Sequence, residues 1–182
     1  MQLAVREMQA DDIPLIVDYW ATASPHHLTA MGVDLAKLPA AEQLSQALHR
    51  QLALPVQQRI SYCTIWQVNG LPVGHCNTNP THYGHHGFLH LHLWHKEQRN
   101  GGIGLPLLQK SIDLFFETLR LQQLFSEPFA HNPAANRTLG RAGWRLEKEY
   151  ITVPGSINFE QAVKRWTSTC EDWEKLKAKR FA

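Results

Sequence analysis

The sequence predicts an α/β fold: a single domain, residues 1–182, with a mixed central β-sheet of about seven strands flanked by helices on both faces. Three observations predict it. Residues 88–94 alternate at period two, as a strand does, and run into the glycine-rich stretch Gln98-Arg99-Asn100-Gly101-Gly102-Ile103-Gly104-Leu105. Beyond it Ile103, Leu107, Leu108, Ile112 and Phe115 recur at helical spacing. Upstream, two β-rich runs meet at Asn69-Gly70, a two-residue hairpin signal. A strand–turn–helix unit asks for a parallel, right-handed crossover and a hairpin for antiparallel neighbours, so the sheet is mixed.

The elements follow in order. Residues 3–8 read as a first strand. Asp11 or Asp12 caps a helix carrying Ile13, Leu15, Ile16, Tyr19 and Trp20, with Pro14 in its first turn. Residues 23–39, with Pro25, His26, His27, Met31 and Gly32, read as a loop long enough to line a site. A helix is expected over 40–54, ended by Pro55, with Leu44, Ala47, Leu48 and Leu52 on one face. Residues 60–68 and 71–78 read as the hairpin strands, and 79–87 as a polar loop before the strand at 88–94. After the central helix, 121–127 reads as a short strand. Asn132 and Pro133 open a helix that Gly143 closes. Residues 144–153 and 162–169 read as a last hairpin, interrupted by Pro154-Gly155. A charged helix over 171–179 has Trp173 and Leu176 as anchors. Trp166 and Trp173 could pack on this chain or on a partner, so monomer and homodimer are both open.

Composition removes several functions. Lysine and arginine number 18 and aspartate and glutamate 16, a net charge of +2 with no basic run, so nucleic acid is not an expected partner. The best apolar stretch is cut by Lys110 and Asp113, so no membrane span is expected. Arg6, Glu7, Asp11 and Asp12 stand where a signal peptide needs an apolar core. Cys63, Cys76 and Cys170 lack metal spacing, and their odd number suggests free thiols in a reducing compartment, so a cytoplasmic protein is expected. Histidine is the odd feature, with His82, His85, His86, His90, His92 and His95 in one short segment. A metal would want three ligands on rigid elements, and no carboxylate or thiolate shares their spacing, so no metal is expected.

The glycine turn carries the chemistry. Residues without Cβ let the backbone bring N–H groups close to a ligand. A helix N-terminus adds unpaired donors and partial positive charge, which together suit a phosphate or pyrophosphate. Neither G-x-G-x-x-G nor G-x-x-x-x-G-K-[ST] is present. The spacing here is Gln98-Arg99-x-x-Gly102-x-Gly104.

That spacing resembles the pyrophosphate loop of the GNAT superfamily, the acyl-CoA-dependent N-acyltransferases. Asn132-Pro133-Ala134-Ala135-Asn136-Arg137-Thr138-Leu139-Gly140-Arg141-Ala142-Gly143-Trp144 is similar to that superfamily's later helix, which opens with Asn and closes on Gly-Phe; Trp144 replaces the Phe. The resemblance implies a GNAT fold and direct transfer of an acetyl group from acetyl-CoA to a primary amine, on a small molecule or a peptide N-terminus. It implies that Arg99, Asn100, Gly101, Gly102, Ile103, Gly104 and Leu105 hold the pyrophosphate. The pantetheine arm would lie along the fourth strand, on backbone groups of Leu93 and Trp94 that can also steady the oxyanion, with Asn132 and Asn136 on its other side.

The attacking amine must lose a proton, since a free alkylamine has a pKa of about 10.4. His90 and His92 lie two apart on a strand and share a face. Their pKa range suits a base, although strand histidines can simply hold a sheet. His90 matches one of the strand histidines that the resemblance implies from arylalkylamine N-acetyltransferases; Phe88 stands at the other. Glu127 and His131 are the remaining base candidates, or loop caps. The superfamily's acid tyrosine would fall at Leu139, with Tyr83 and Tyr150 as possible substitutes, although a thiolate can leave without an acid. That gap leaves a second reading, a non-catalytic acyl-CoA-binding or regulatory module on the same fold.

Overall fold

The computed structural model describes residues 1–99 and 101–181. In order it contains β1 (Leu3–Glu7), α1 (Ile13–Thr22), α2 (Pro25–Ala30), α3 (Ala41–Ala53), β2 (Tyr62–Val68), β3 (Leu71–His82) and β4 (His86–Leu93). Then come α4 (Gly104–Leu119), β5 (Gln123–Ser126), α5 (Pro133–Arg141), β6 (Arg145–Thr152), β7 (Gln161–Thr169) and α6 (Cys170–Phe181). The strands form one sheet in the order β1-β2-β3-β4-β5-β7-β6. β4 and β5 pair parallel, and the other neighbours antiparallel. The mixed seven-stranded α/β architecture is therefore the one the sequence predicts. No helix among the described residues is long and apolar enough to cross a membrane.

Each face of the sheet has its own core. α4 buries Leu107, Leu108, Ile112, Phe115, Phe116 and Leu119, one stripe at helical spacing, against Tyr62, Trp66, Cys76 and Leu89. Ser111 sits in that stripe without penalty, because its hydroxyl meets Trp66 Nε1 at 2.7 Å and Thr64 Oγ1 at 3.0 Å. α1 and α3 cover the opposite face, where Ile13, Ile16, Val17, Trp20, Leu48 and Leu52 pack with Cys63, Ile65 and Trp94. At the β2–β3 turn both Asn69 and Gly70 take positive φ, 51° and 81°, the conformation that an Asn-Gly hairpin selects.

Two expectations are corrected, the last hairpin forms as expected, and the placement of the two tryptophans is filled in. Residues 23–39 are not all loop: Ser24 Oγ accepts from His27 N (3.3 Å) and starts α2, with Pro25 as its first residue. The polar loop at 79–87 shrinks to a tight turn, because β3 continues to His82 across an irregularity between Thr78 and Thr81 and pairs His82 with His86. β7 does pair with β6, yet it also inserts beside β5, so the last hairpin extends the sheet in reversed order. Trp166 and Trp173 both bond within the chain: Trp166 Nε1 donates to Asn136 Oδ1 (2.9 Å), and Trp173 donates to Asp113 Oδ1 (2.7 Å) while stacking on Phe116.

Candidate active site

The candidate residues gather where β4 and β5 part. Their parallel pairing ends at Phe88↔Phe125, after which Ser126 Oγ donates to Leu89 O (2.8 Å). Antiparallel ladders turn alternate residues to alternate sides. Trp94 N–H donates to Val73 O (3.0 Å), so the even residues of β4 point their amides at β3. Leu91 and Leu93, rather than Leu93 and Trp94, therefore turn their backbone groups to the parted side. The Trp94 amide is already committed to the sheet.

At the end of this edge lies the glycine turn. Gly102 has φ +76°, and a Cβ there would meet nothing within 4 Å, so the turn needs glycine for its conformation and is open above. Gly101 and Gly102 are exposed and Ile103 is buried. Ile103 caps α4 without a side-chain bond, and Pro106 has no N–H, which makes the amides of Gly104 and Leu105 the open donors of the first turn. Asn100 lies outside the described residues. Arg99 reaches back: Nη2 donates to Leu93 O (3.0 Å) and Trp94 O (3.3 Å), and Nη1 to His27 Nδ1 (3.2 Å).

His90 and His92 face α1 and α2, opposite the leucines that face α4. His90 Nε2 donates to Asn79 O (2.9 Å), which holds the ring and leaves its Nδ1 as the lone-pair nitrogen; among the described residues Nδ1 has no partner. Desolvation pulls the His90 pKa below its ordinary value, opposed by the Asn79 carbonyl and the charge of Glu127. His92 is stacked on His75 at 4.7 Å, and its Nδ1 meets Tyr19 Oη at 3.3 Å. Burial first, then the positive ends of His75, His90, His27 and Arg99, hold its pKa well below the usual range. His75 accepts from Trp94 Nε1 (2.8 Å), and burial takes its pKa down to about 3.

The remaining candidates are engaged elsewhere. Glu127, with a side chain 7% exposed, accepts from Arg165 Nε and Tyr150 Oη. Asn132 Oδ1 caps α5 at Ala135 N (3.3 Å). The Asn136 amide is filled by Phe129 O, Asn132 O and Trp166 Nε1, so it braces α5. Leu139 is fully buried, Tyr83 packs on the main core, and His131 is exposed beside Phe129. The histidine segment splits in two: His82, His85 and His86 cluster at the β3–β4 turn, with His85 and His86 Nδ1 atoms 2.7 Å apart, away from His90 and His92. Among the described residues no group of three or more His, Cys, Asp or Glu side chains is arranged to hold a metal ion.

The α2 region and the β6–β7 loop strap together over this face. Asp34 N donates to Ile157 O (2.8 Å), Lys37 Nζ to Asn158 O (2.8 Å), and Asn158 Nδ2 and Gln161 Nε2 to Gly32 O (2.8 and 2.9 Å). Beside it opens a cleft of about 400 Å³ lined by Asp18, Tyr19, His27, Trp94, Glu97 and Arg99, among others. His27 lies in the segment that the sequence marked as able to line a site, whereas Tyr19, His75 and Leu91 escaped sequence reasoning. Tyr19 reads as one more apolar position of a helix, and the register that sets His75 opposite His92 is not written locally.

A GNAT acetyltransferase domain model matches residues 2–145. The chain belongs to the GNAT acetyltransferase family and is an acyltransferase. No curated protein matches the sequence. Among solved structures, spermidine N-acetyltransferase from Vibrio cholerae, in complex with CoA and spermine, is similar at 15% identity and TM-score 0.77, over 95% of this chain and 98% of that one. Ribosomal-protein-S5-alanine acetyltransferase from Vibrio fischeri is similar at 18% identity and TM-score 0.76, over 95% and 96%. An aminoglycoside acetyltransferase in complex with coenzyme A is similar at 15% and 0.71, over 97% and 99%. At these identities the likeness is one of fold.

Proposed function

We propose that this acetyltransferase moves an acetyl group from acetyl-CoA to a primary amine, on a small molecule or a peptide N-terminus, by direct transfer. The observation that carries the reading is one conjunction: β4 parts from β5, an open glycine turn ends the parted edge, and His90 keeps an unpartnered Nδ1 on the same strand. The residues fit the co-substrate. Gly101, Gly102, Ile103, Gly104 and Leu105 offer backbone donors without a carboxylate among them, and the backbone of Leu91 with the Leu93 amide offers an edge for an amide-bearing arm, the Leu93 carbonyl being taken by Arg99. Bound there, acetyl-CoA supplies a thioester acyl group. His90 Nδ1 takes the proton of the acceptor ammonium, and the nearby Glu127 charge supports the protonated ring. The Leu91 and Leu93 amides can donate to developing negative charge on oxygen. The Tyr150 proton is committed to Glu127, so the thiolate leaves without help from that side chain.

Calorimetric titration of acetyl-CoA into wild type and Gly102→Glu tests this reading. The wild type is expected to bind, and the added carboxylate to weaken binding about 100-fold or more, about 2.7 kcal/mol. Absence of binding to the wild type would end the acetyl-CoA reading. Binding without thiol release across a panel of amines would end the catalytic one and leave an acyl-CoA-binding module.

A further inference from the structure

Tyr19, His27 and Arg99 take no part in the transfer proposed above, yet they connect the glycine turn to His92 by an unbroken path. We infer that these three side chains lock His92 as the Nε2–H tautomer, so that His92 is a hydrogen-bond donor to the acyl acceptor and the acceptor is an amine carrying a lone-pair oxygen rather than a polyamine. The placement of the acceptor rests on the proposed function; the tautomer does not.

Donor and acceptor types fix the first two bonds of the path, and acceptor strength fixes the third. A guanidinium only donates, so His27 Nδ1, 3.2 Å from Arg99 Nη1, must be a lone pair. The proton of neutral His27 then sits on Nε2, which donates to Tyr19 Oη at 3.1 Å. The Tyr19 hydroxyl is left to donate, and its choices are His92 Nδ1 at 3.3 Å and the weaker acceptor Met31 Sδ at 3.8 Å. His92 Nδ1 is thereby filled and its proton is on Nε2. Among the described residues nothing accepts from that N–H, and His92 as a residue is half-buried.

The surroundings keep this arrangement neutral. His92 is faced by His75 from β3, Tyr19 and Trp20 from α1, His27 from α2, His90 on its own strand, and Arg99 from the turn; none of these is acidic. Burial raises the Tyr19 pKa, which keeps its proton in place, and lowers that of His27. His75 stacks on one side of the ring and Trp20 meets it edge-on at 5.0 Å, so it cannot swing to exchange its two nitrogens.

Two histidines on one face thus present opposite valences, a lone pair at His90 and an N–H at His92, with Cα atoms about 7 Å apart along the strand. An amine bearing a carbonyl or hydroxyl oxygen satisfies both. A polyamine offers only further ammonium groups, which His92 N–H and the Arg99 charge repel. Glu127 is closed off by Arg165 and Tyr150, and the cleft carboxylates Asp18 and Glu97 share their cleft with Lys96 and Arg99.

The test joins a spectroscopic and a kinetic readout on the full chain. Nitrogen-15 NMR of histidine-labelled protein at neutral pH should show His92 as a single Nε2–H tautomer, and Tyr19→Phe should turn it into a mixture while leaving His90 unchanged. His27→Leu, at a half-buried position, removes the donor to Tyr19 Oη and should do the same, and it stands in if Tyr19→Phe does not fold. Thiol release from acetyl-CoA should favour L-alaninamide over spermidine by about tenfold or more in kcat/KM, and Tyr19→Phe should shrink that ratio. A wild-type His92 protonated on Nδ1, or spermidine used as well as L-alaninamide, overturns the inference. Release from neither amine overturns it as well, and the acetyl-CoA titration then tells whether the transferase reading has failed with it.

Discussion

Two groups of ionisable side chains flank the parted strands, and they differ in what they leave over. Around Glu127 the valences close on one another. Arg165 Nε and Tyr150 Oη both donate to Glu127, Arg165 Nη2 donates to Tyr150 Oη (2.7 Å), and the guanidinium lies over the rings of Phe88, Phe125 and Tyr150 at 5.3–5.7 Å. Around β4, His90 and His92 each bond through one ring nitrogen and leave the other unpartnered among the described residues. Both groups sit beside the site and both contain residue types that do acid–base work. The unfilled valence separates a group that can react from one that braces, and neither residue type nor proximity reports it.

The largest expected effect breaks the closed cluster. Arg165→Met keeps bulk over the aromatic rings but takes the paired cation from the Glu127 carboxylate, whose side chain is 7% exposed, and leaves it only the Tyr150 hydroxyl among the described residues. Removing one partner of a buried pair costs about 3 kcal/mol, readable as a fall in the urea midpoint. A loss under about 1 kcal/mol would mean that the cluster behaves as a surface pair and that the contrast with the histidines is overdrawn.

The histidine side responds to acid instead. Burial lowers the pKa of His75 to about 3 and that of His92 well below the ordinary value, with His27 and His90 also lowered. In the unfolded chain these rings take up protons below about pH 6.5 while the folded chain keeps them neutral. Protons therefore favour unfolding, and stability is fully present above pH 6.5 and falls as pH drops toward the folded pKa. For His75 the slope is about 1.4 kcal/mol per pH unit between about pH 6.5 and its folded value near 3. Urea midpoints measured downward from pH 7 should show this decline, and His75→Gln, which still accepts from Trp94, should flatten it by one histidine.

The contrast also marks what the chain discloses in one dimension. The strand–turn–helix unit, the Asn69-Gly70 hairpin and the apolar stripe of α4 are local patterns, and each is in the structure as read. His90 and the glycine turn were visible for the same reason. The closure of Glu127 was not, because Arg165 arrives from β7, which inserts beside β5 only through long-range pairing. Tyr19 was hidden by periodicity: its ring fills a helix position that looks like core, and only the meeting of α1, α2 and β4 gives its hydroxyl two histidine partners. That the Trp94 amide faces β3 and the Leu91 amide does not is a question of register, which alternation in sequence leaves undecided.

The smallest expected effect on stability sharpens the comparison most. In His90→Gln the amide can still donate to Asn79 O, the one bond that the His90 ring makes among the described residues, so the urea midpoint should move by less than about 1 kcal/mol. Nothing in that side chain can carry a proton from the amine, so thiol release should fall about 100-fold or more with acetyl-CoA affinity unchanged. An unfilled lone pair predicts this split between rate and stability. The closed cluster predicts the reverse, since Arg165→Met lowers stability first. If His90→Gln lost stability as Arg165→Met does and kept its rate, His90 would belong with Glu127 as a brace, and the proton would have to leave the amine by a route that avoids β4.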